Sequence, residues 1–395
     1  MAQVDPVVLE HVPAAAQEAA RKRGRFFLAL TVAMVGFALS LQVGLNPNFV
    51  AQTMAISGEQ QGMLEGSRES CGIIALGILA LLTGMSEPRI GVIMLVLMSA
   101  GLSAYSAVPS FGWLVAASFV WSQGFHVWMP LPGSMAMALG DRGREGKAMG
   151  TLGAAGAIGS ASAIALALGL HFLGMTVRPM FLLAGAAGLA AAFFCSRIPK
   201  DIKAPGARLI IRKKYWLYYV LQFLEGWRKQ IFIAFAGFML VREYKTPLGL
   251  MLVLALITQT LGWFVAPLTG RIIDKLGEQK VLLFYYASMA VVCACYARIH
   301  HAYVLYGLYV ADSVLFSCNM ALTTYVGRLA PPEEHTATLS AGVAANHVAA
   351  VLMPLVGGVL WKLYGYEWAF YMGAVMAVVT LVPVMMLPRA DKVQR

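Results

Sequence analysis

Two short segments of the chain place acidic and basic side chains three and four residues apart inside long apolar stretches. They are Glu65, Arg68 and Glu69 in the first segment and Glu225, Arg228 and Lys229 in the second. On a helix, this spacing puts all three side chains of a segment on one face. An ionised side chain in hydrocarbon costs at least about 2.5 kcal/mol. Both segments are therefore candidate sites for binding an ion or a polar solute.

Other polar side chains occur singly in apolar stretches, and they divide by the chemistry they could perform. Three are titratable and could carry a proton: His126, Asp312 and His347. Four could donate or accept hydrogen bonds to a polar solute: Gln42, Gln222, Trp227 and Asn319. Each of these residues is weak evidence when taken alone.

Two interpretations of the paired charges remain open. In one, a glutamate and a basic residue of each segment neutralise each other and fix the position of the helix. In the other, the surplus charges attract a substrate or pair with each other in one conformation only. Lys229 is the odd charge of its segment, and with Arg228 it could hold a carboxylate or phosphate. Glu69 is the odd charge of the other segment and could carry a coupled proton.

Composition identifies the elements that must position these residues. The chain has 395 residues, of which 59% are hydrophobic and 12% are charged, and its mean hydropathy is +0.71. Soluble domains carry about 25% charged residues, so a soluble enzyme, a disordered chain and a disulfide-rich secreted domain are excluded. The apolar stretches are long enough for membrane-spanning helices. Twelve spans are predicted, near residues 25–45, 60–84, 90–107, 111–139, 148–171, 175–195, 215–240, 247–269, 279–298, 303–327, 338–361 and 366–387.

The distribution of basic residues predicts the orientation of these spans. Of the 30 Lys and Arg residues, 22 fall on the side of the N-terminus, five fall on the other side and three lie within spans. Loops rich in basic residues stay in the cytoplasm, so both termini are expected on the cytoplasmic side. The predicted location of the protein is the inner membrane of a bacterium. The predicted organisation is a tail (1–24), six helices (25–195), a basic linker (196–214), six helices (215–388) and a second tail (389–395).

A short motif between the eighth and ninth predicted spans is the most specific signal in the sequence. It consists of Gly270, Arg271, Asp274, Lys275, Gly277 and Lys280. A degenerate copy, with Pro88 in place of the acidic residue, lies between the second and third spans at an offset of 186 residues. The same offset carries His126 onto Asp312. These features resemble those of the major facilitator superfamily of secondary transporters, and the resemblance covers residues 25 to 388.

The resemblance implies an all-α membrane protein of two pseudo-symmetric six-helix bundles around a central cavity. Helices one, four, seven and ten would line the cavity, and helices two, five, eight and eleven would join the bundles. Substrate would bind near the middle of the membrane and be released as one bundle rocks against the other. In the fifth span, Gly150, Gly153, Gly156 and Gly159 predict a face for close helix packing.

Three functions are considered. The leading hypothesis is a secondary transporter that moves a small organic anion together with protons. The alternative is a proton-coupled exporter of multiple drugs or lipophilic cations, and the third is a transporter-like sensor or assembly factor. The sequence predicts no enzymatic activity, no cofactor, no metal site and no nucleic-acid partner. The expected partners are a small-molecule substrate, protons and the lipid bilayer, and the expected state is a monomer.

Overall fold

The computed structural model describes residues 14–82, 84–140, 145–202 and 211–387. Within these ranges the chain forms twelve helices, which confirms the predicted fold class. The N-terminal six are α1 (Ala14–Asn48, continued by a π-helical turn, Phe49–Thr53), α2 (Gly58–Leu81), α3 (Glu87–Ala104), α4 (Phe111–Trp128 and Leu131–Leu139), α5 (Glu145–Phe172) and α6 (Val177–Cys195). The C-terminal six are α7 (Trp216–Ile231, a π-helical turn Phe232–Ala236, and Gly237–Arg242), α8 (Leu248–Leu276), α9 (Glu278–Arg298), α10 (Ala302–Phe316, a 3-10 turn Ser317–Asn319, and Met320–Leu329), α11 (Pro332–Tyr364) and α12 (Tyr366–Met385).

Within the described part of the chain, nine of these helices have the length and hydropathy of a membrane span, and three do not. The three that do not are α2, α4 and α7. The first and last of these contain the two charged segments, and α4 contains His126. These three helices thus carry the two charged segments and His126, whereas Gln42 lies in α1, Asp312 and Asn319 lie in α10 and His347 lies in α11.

The helices alternate in direction, so the molecule has two distinct ends. Residues 14 and 387 and the segment 196–202 after α6 lie at one end, here called the terminal end; the opposite end is called the far end. Residues 14–24, predicted as part of a tail, are already helical in α1, because residues 14–23 are mostly Ala, Glu, Arg and Lys, which favour helix. The predicted features at residues 1–13, 203–210 and 388–395 lie outside the described residues.

Glycine residues bring α1 and α5 into close contact. Gly36 of α1 lies against the backbone carbonyl of Gly156, and Gly159 of α5 lies against that of Ala33. Gly150 and Gly153 have open space where a side chain would begin. Two of the four glycines in the predicted packing face therefore form it.

The two bundles meet at the far end along α2 and α11. Gly62 lies against the backbone carbonyl of Pro354, which leaves no room for a side chain at this position. Toward the far end of the same seam, the Lys362 ammonium lies 2.8 Å from a Glu59 carboxylate oxygen. Close backbone packing and a peripheral ion pair therefore hold α2 against α11.

Helices α1 and α7 close the far end on the other side. The Asn48 side-chain amide donates a hydrogen bond to the Thr246 carbonyl at 3.0 Å. The Arg242 guanidinium donates to the Ile56 carbonyl in the loop that follows α1. The described residues thus join the bundles by both seams at this end.

The turns after α2 and α8 correct the predicted repeat. Gly84 and Gly277 have φ angles of +99° and +79°, which favour glycine, and they follow α2 and α8 respectively. They are 193 residues apart, whereas the predicted offset of 186 pairs Gly84 with Gly270, which lies inside α8. The two turns are therefore related by an offset of 193 residues. This offset does not carry His126 onto Asp312, which are 186 residues apart.

Candidate functional site

Ionisable side chains of both bundles meet where α2 and α4 pack against α11. This group, called the seam cluster, consists of Glu65, Arg68, Glu69, His126 and His347. A Glu69 carboxylate oxygen, Oε2, lies 3.4 Å from His347 Nδ1, and the rings of His126 and His347 are 5.2 Å apart at their centres. Glu69 and both histidines are buried. The structure thus brings together three predicted proton carriers from separate parts of the sequence.

Within α2, the three charges of the seam cluster contact one another. Arg68 forms an ion pair with Glu65, and its Nη2 lies 3.6 Å from Glu69 Oε1. Gln61 Nε2 donates to Glu65 Oε1 at 3.3 Å and to the Ala234 carbonyl of α7 at 2.8 Å. Arg68 can neutralise only one of the two carboxylates, so this face of α2 keeps one surplus negative charge.

Hydrogen bonds to the backbone orient His126. Its Nδ1 lies 2.9 Å from the Ser122 carbonyl and 3.0 Å from Ser122 Oγ, one turn earlier in α4, and we assign Nδ1 as the protonated nitrogen because the Ser122 hydroxyl proton is donated to the Arg68 carbonyl. Ser122 Oγ donates to the Arg68 carbonyl at 2.9 Å and so ties α4 to α2. In the neutral ring, Nε2 of His126 then carries the free lone pair.

The position of His347 depends on a glycine in α2. A side chain at Gly72 would occupy the place of the His347 ring, so only glycine permits this approach. His347 Nδ1 is buried and has no hydrogen-bond partner among the described residues, although Glu69 is at ion-pair distance. A buried imidazole nitrogen without a hydrogen bond is energetically costly.

A second group of charges, called the C-bundle network, lies entirely within the C-terminal bundle. It consists of Glu225, Arg228, Tyr285, Tyr286 and Asp312. Arg228 Nη2 and Nε donate to the Glu225 carboxylate at 2.7 and 3.3 Å, and Nη1 donates to Asp312 at 3.3 Å. The hydroxyls of Tyr285 and Tyr286 donate to the same glutamate at 3.1 and 2.9 Å. Every charged group in this network therefore has an opposite charge beside it.

This geometry bears on the role predicted for Arg228. Its side chain is 1% exposed and lies against the ring of Tyr285, with a centroid distance of 5.1 Å. Asp312, on the other side of the guanidinium, is 16% exposed. In this conformation, Arg228 and Glu225 form the local pair of the first interpretation, and a substrate cannot reach the guanidinium unless the network opens.

Lys229, by contrast, has no carboxylate within ion-pair distance among the described residues. Its ammonium donates to Asn346 Oδ1 of α11 at 3.0 Å, and Asn346 Nδ2 donates to the Gln222 carbonyl of α7 at 3.0 Å. Gly226 lies against the Asn346 backbone and allows the two helices to approach. Lys229 is half-buried, so its charge is held by an amide and only partly shielded.

The other predicted hydrogen-bonding residues are distributed over three helices, α1, α7 and α10. Gln222 Nε2 donates to the Tyr218 hydroxyl at 3.0 Å. Gln42 Nε2, Trp227 Nε1 and Asn319 Oδ1 are buried atoms without a hydrogen-bond partner among the described residues. Such atoms are available to a bound solute, but the structure does not gather them into one cluster.

The signature motif lies at the terminal end of α8 and in the turn to α9. Its charged members are all exposed, and they are Arg271, Asp274, Lys275 and Lys280. Gly270 lies in α8, and Gly277 ends this helix. The nearby ion pair of the bundle instead joins Glu278 to Arg328 at 3.0 Å.

Sequence reasoning missed several residues that complete these groups. They are Gln61, Ser122, Tyr285, Tyr286 and Asn346. Each is a polar residue in an apolar helix, which is a detectable but weak signal. Sequence reasoning also missed the shared role of two similar segments, 64–68 and 224–228. In both, the glutamate and arginine pair with each other and the intervening glycine packs on α11.

Comparison with known proteins identifies the family. The model of the Major Facilitator Superfamily matches residues 28–311 and again residues 218–395. The chain belongs to this superfamily. Its fold is similar to that of a single-residue mutant of the nucleoside transporter NupG, with a TM-score of 0.77 and 13% identity over 92% of this chain and 99% of that one. No curated protein sequence matches the chain.

Two further solved structures share the fold. A bacterial homologue of the human lysosomal transporter Spinster, in an inward-facing and occupied conformation, gives a TM-score of 0.70 at 12% identity over 93% of this chain and 96% of that one. A D-xylose–proton symporter gives 0.73 at 12% identity, over 93% and 98%. At this identity the similarity establishes the fold alone. Members of the superfamily are transporters, and this member is an integral membrane protein.

Proposed function

We propose that the chain moves a small organic anion together with protons by alternating access between the two ends of the bundle pair. Membership of the superfamily supports transport, and the solved structures that share the fold include a nucleoside transporter and a D-xylose–proton symporter. The contacts between the bundles at the far end correspond to one of the two states that alternating access requires. The excess of basic residues near the terminal end supports placing that end in the bacterial cytoplasm.

Lys229 is the observation that carries the anion part of the proposal. It lies on α7, a helix that the superfamily fold predicts to line the cavity, and is half-buried; its hydrogen-bond partner among the described residues is the neutral amide of Asn346. Arg228, one residue away, is neutralised by two carboxylates. Lys229 is therefore the available cation of α7, and an anionic substrate would exchange the amide contact for a charge-assisted one.

The proton part of the proposal rests on Glu69, His126, His347 and Asp312. The first three cross the seam between the bundles, so a proton added there changes the interaction that holds α2 and α4 to α11. Asp312 is the partly exposed member of the C-bundle network. Protonation of Asp312 would remove one of the two acids that hold Arg228.

The alternative is a proton-coupled exporter of lipophilic cations. The surplus negative charge of α2, next to the aromatic ring of Trp121, favours this function, because Trp121 already lies 5.7 Å from the Arg68 guanidinium in a cation–π contact. A cationic substrate would then bind at Glu69, and Lys229 would have no direct role.

The deciding experiment compares Lys229→Gln with a matched control, Lys245→Gln. Lys245 is exposed in the loop between α7 and α8, and its ammonium donates to the Arg242 carbonyl. The purified protein is first screened by thermal shift against mono- and dicarboxylates and, separately, against tetraphenylphosphonium and ethidium. Loss of one charge-assisted contact, about 1.5–3 kcal/mol, predicts a loss of anion affinity of about 10-fold to 150-fold in Lys229→Gln only.

The outcomes separate the two functions. Uptake of the anion into proteoliposomes should be accompanied by proton movement and should fall in Lys229→Gln but not in the control. Unchanged anion affinity in Lys229→Gln would refute the anion site. A response to several unrelated cations, lost in Glu69→Gln, would establish the exporter instead.

A further inference from the structure

We propose that Glu69, His126 and His347 form a binding site for a divalent transition-metal ion, with Zn²⁺ as the best match, between the two bundles. One potential ligand atom from each residue lies within 4.8 Å of those of the other two, and all three side chains are buried. Two imidazoles and one carboxylate are the ligand types that zinc and related ions use in proteins.

The distance between Glu69 and His347 suits two ligands of one metal ion better than a hydrogen bond. Glu69 Oε2 and His347 Nδ1 are 3.4 Å apart without hydrogen-bond geometry. Two ligands that each lie about 2.0–2.1 Å from a tetrahedral zinc ion are about 3.3–3.4 Å from each other. A metal between these atoms would also satisfy the buried His347 nitrogen, which has no other partner among the described residues.

His126 is oriented as a metal ligand would be. Histidines that bind metals usually donate the other ring N–H to a carbonyl or carboxylate, which fixes the tautomer and the ring plane. His126 Nδ1 makes this contact to the Ser122 carbonyl at 2.9 Å, so Nε2 carries the lone pair available to a metal. In Glu69, Oε1 faces Arg68 and Oε2 faces His347, so one oxygen remains for the ion.

The local charge balance favours a cation at this position. Glu65 and Glu69 carry two carboxylates against the single guanidinium of Arg68 that contacts them, and the ammonium of Lys229 lies beyond ion-pair distance and is hydrogen-bonded to Asn346. Two nitrogen ligands disfavour Ca²⁺ and Mg²⁺, which select oxygen. Three protein ligands leave a fourth position for water.

The site has a mechanical consequence that rests on the proposed function. Glu69 and His126 belong to the N-terminal bundle and His347 to the C-terminal bundle, so a bound ion would join the two directly. Rocking of one bundle against the other would then require loss of a ligand. Metal binding is therefore expected to arrest transport in the state that is closed at the far end.

Binding is tested first, on the full-length protein in detergent and without a transport assay. Chelator competition with Zn²⁺ should give one tight site per chain in the wild type and in the control His301→Gln, whose side chain is exposed at the far end. His347→Gln and Glu69→Gln should each weaken this site about 100-fold or more. Equal zinc affinity in these variants and the wild type would overturn the proposal.

A gain-of-signal variant keeps the test decisive if the glutamine variants fold poorly. His347→Cys replaces one zinc ligand by another, so it should retain tight binding, and its Co²⁺ form should acquire a thiolate-to-cobalt absorption band that the wild type lacks. Absence of this band in a folded, Co²⁺-titrated protein would overturn the site. If Zn²⁺ binds as predicted but does not inhibit transport, the locking role is refuted and the binding site stands.

Discussion

Arg228 provides the sharpest test of how this protein tolerates charge within its membrane-spanning region. Replacing it by methionine keeps an unbranched side chain of similar length but removes the guanidinium. Glu225 would keep its hydrogen bonds from Tyr285 and Tyr286, whereas Asp312 would lose the cation at 3.3 Å. Two acids would then face each other across α7 and α10 without a counter-ion.

The magnitude follows from the burial of each partner. Removing one member of a buried ion pair destabilises proteins by about 3–5 kcal/mol, because the remaining charge stays buried and unpaired. Glu225 is fully buried but has two tyrosine donors, and Asp312 is 16% exposed. Both features reduce the cost, so we expect Arg228→Met to destabilise the protein by about 3 kcal/mol.

The measurement is the free energy of unfolding in mixed detergent and SDS micelles, followed by tryptophan fluorescence. Arg298→Met is the matched control, because Arg298 is exposed at the end of α9 and surface changes are usually within about 0.5 kcal/mol. Adding Glu225→Gln to Arg228→Met should recover part of the loss, since one of the unpaired charges is then removed. An effect of Arg228→Met below about 1 kcal/mol, or no recovery in the double variant, would show that the network is not a coupled ion pair.

Two further predictions concern the seam and the terminal end. Gly62→Val should destabilise the protein by about 1–3 kcal/mol, because the new side chain would clash with the Pro354 carbonyl at the contact of α2 with α11. Gly77→Val is the control, since Gly77 lies on the same helix but faces open space. The two variants are compared by thermal unfolding. Hydrogen bonds from Lys214 and Tyr215 lower the pKa of Glu334, which lies before the apolar part of α11. This contact therefore stabilises the fold above the ordinary carboxyl pKa of 4.5 and is lost as the pH falls through the lowered value. As the pH falls through the lowered pKa of Glu334, the backbone amides of residues 332–340 should lose protection from hydrogen exchange, measured relative to their intrinsic exchange rates at each pH. In Glu334→Gln, the protection of these amides should no longer depend on pH in this range.

Most of the architecture could be predicted from the sequence because the bilayer imposes a simple length rule. Apolar stretches of about 20 residues must be helices, since the backbone has no other way to satisfy its polar groups in hydrocarbon. The observed helices follow the predicted spans closely. The start of α1 was missed because Ala14 and the residues after it form helix by local propensity, outside the apolar stretch.

The candidate site could be predicted only in part, because its residues meet by tertiary packing. Local pairing of Glu65 with Arg68, and of Glu225 with Arg228, was one of two interpretations that the spacing left open, and the structure contains both pairs. That His347 would meet Glu69 could not be read from the sequence, since the contact depends on how α11 crosses α2. The repeat offset was also wrong, because a pair of aligned glycines does not distinguish a turn residue from a helical one.

Helix α11 connects the two proposed parts of the mechanism. Asn346 holds Lys229 on one side, and the next residue, His347, contacts Glu69 on the other. Adjacent residues on a helix point about 100° apart, so a single turn of α11 can face both α7 and α2. Glycines fix both contacts, because Gly226 lies against the Asn346 backbone and Gly72 against the His347 ring. A substrate that displaces the Asn346 side chain from Lys229 therefore acts on the same turn of helix that carries the histidine, and this physical link would let anion binding and protonation at the seam influence each other.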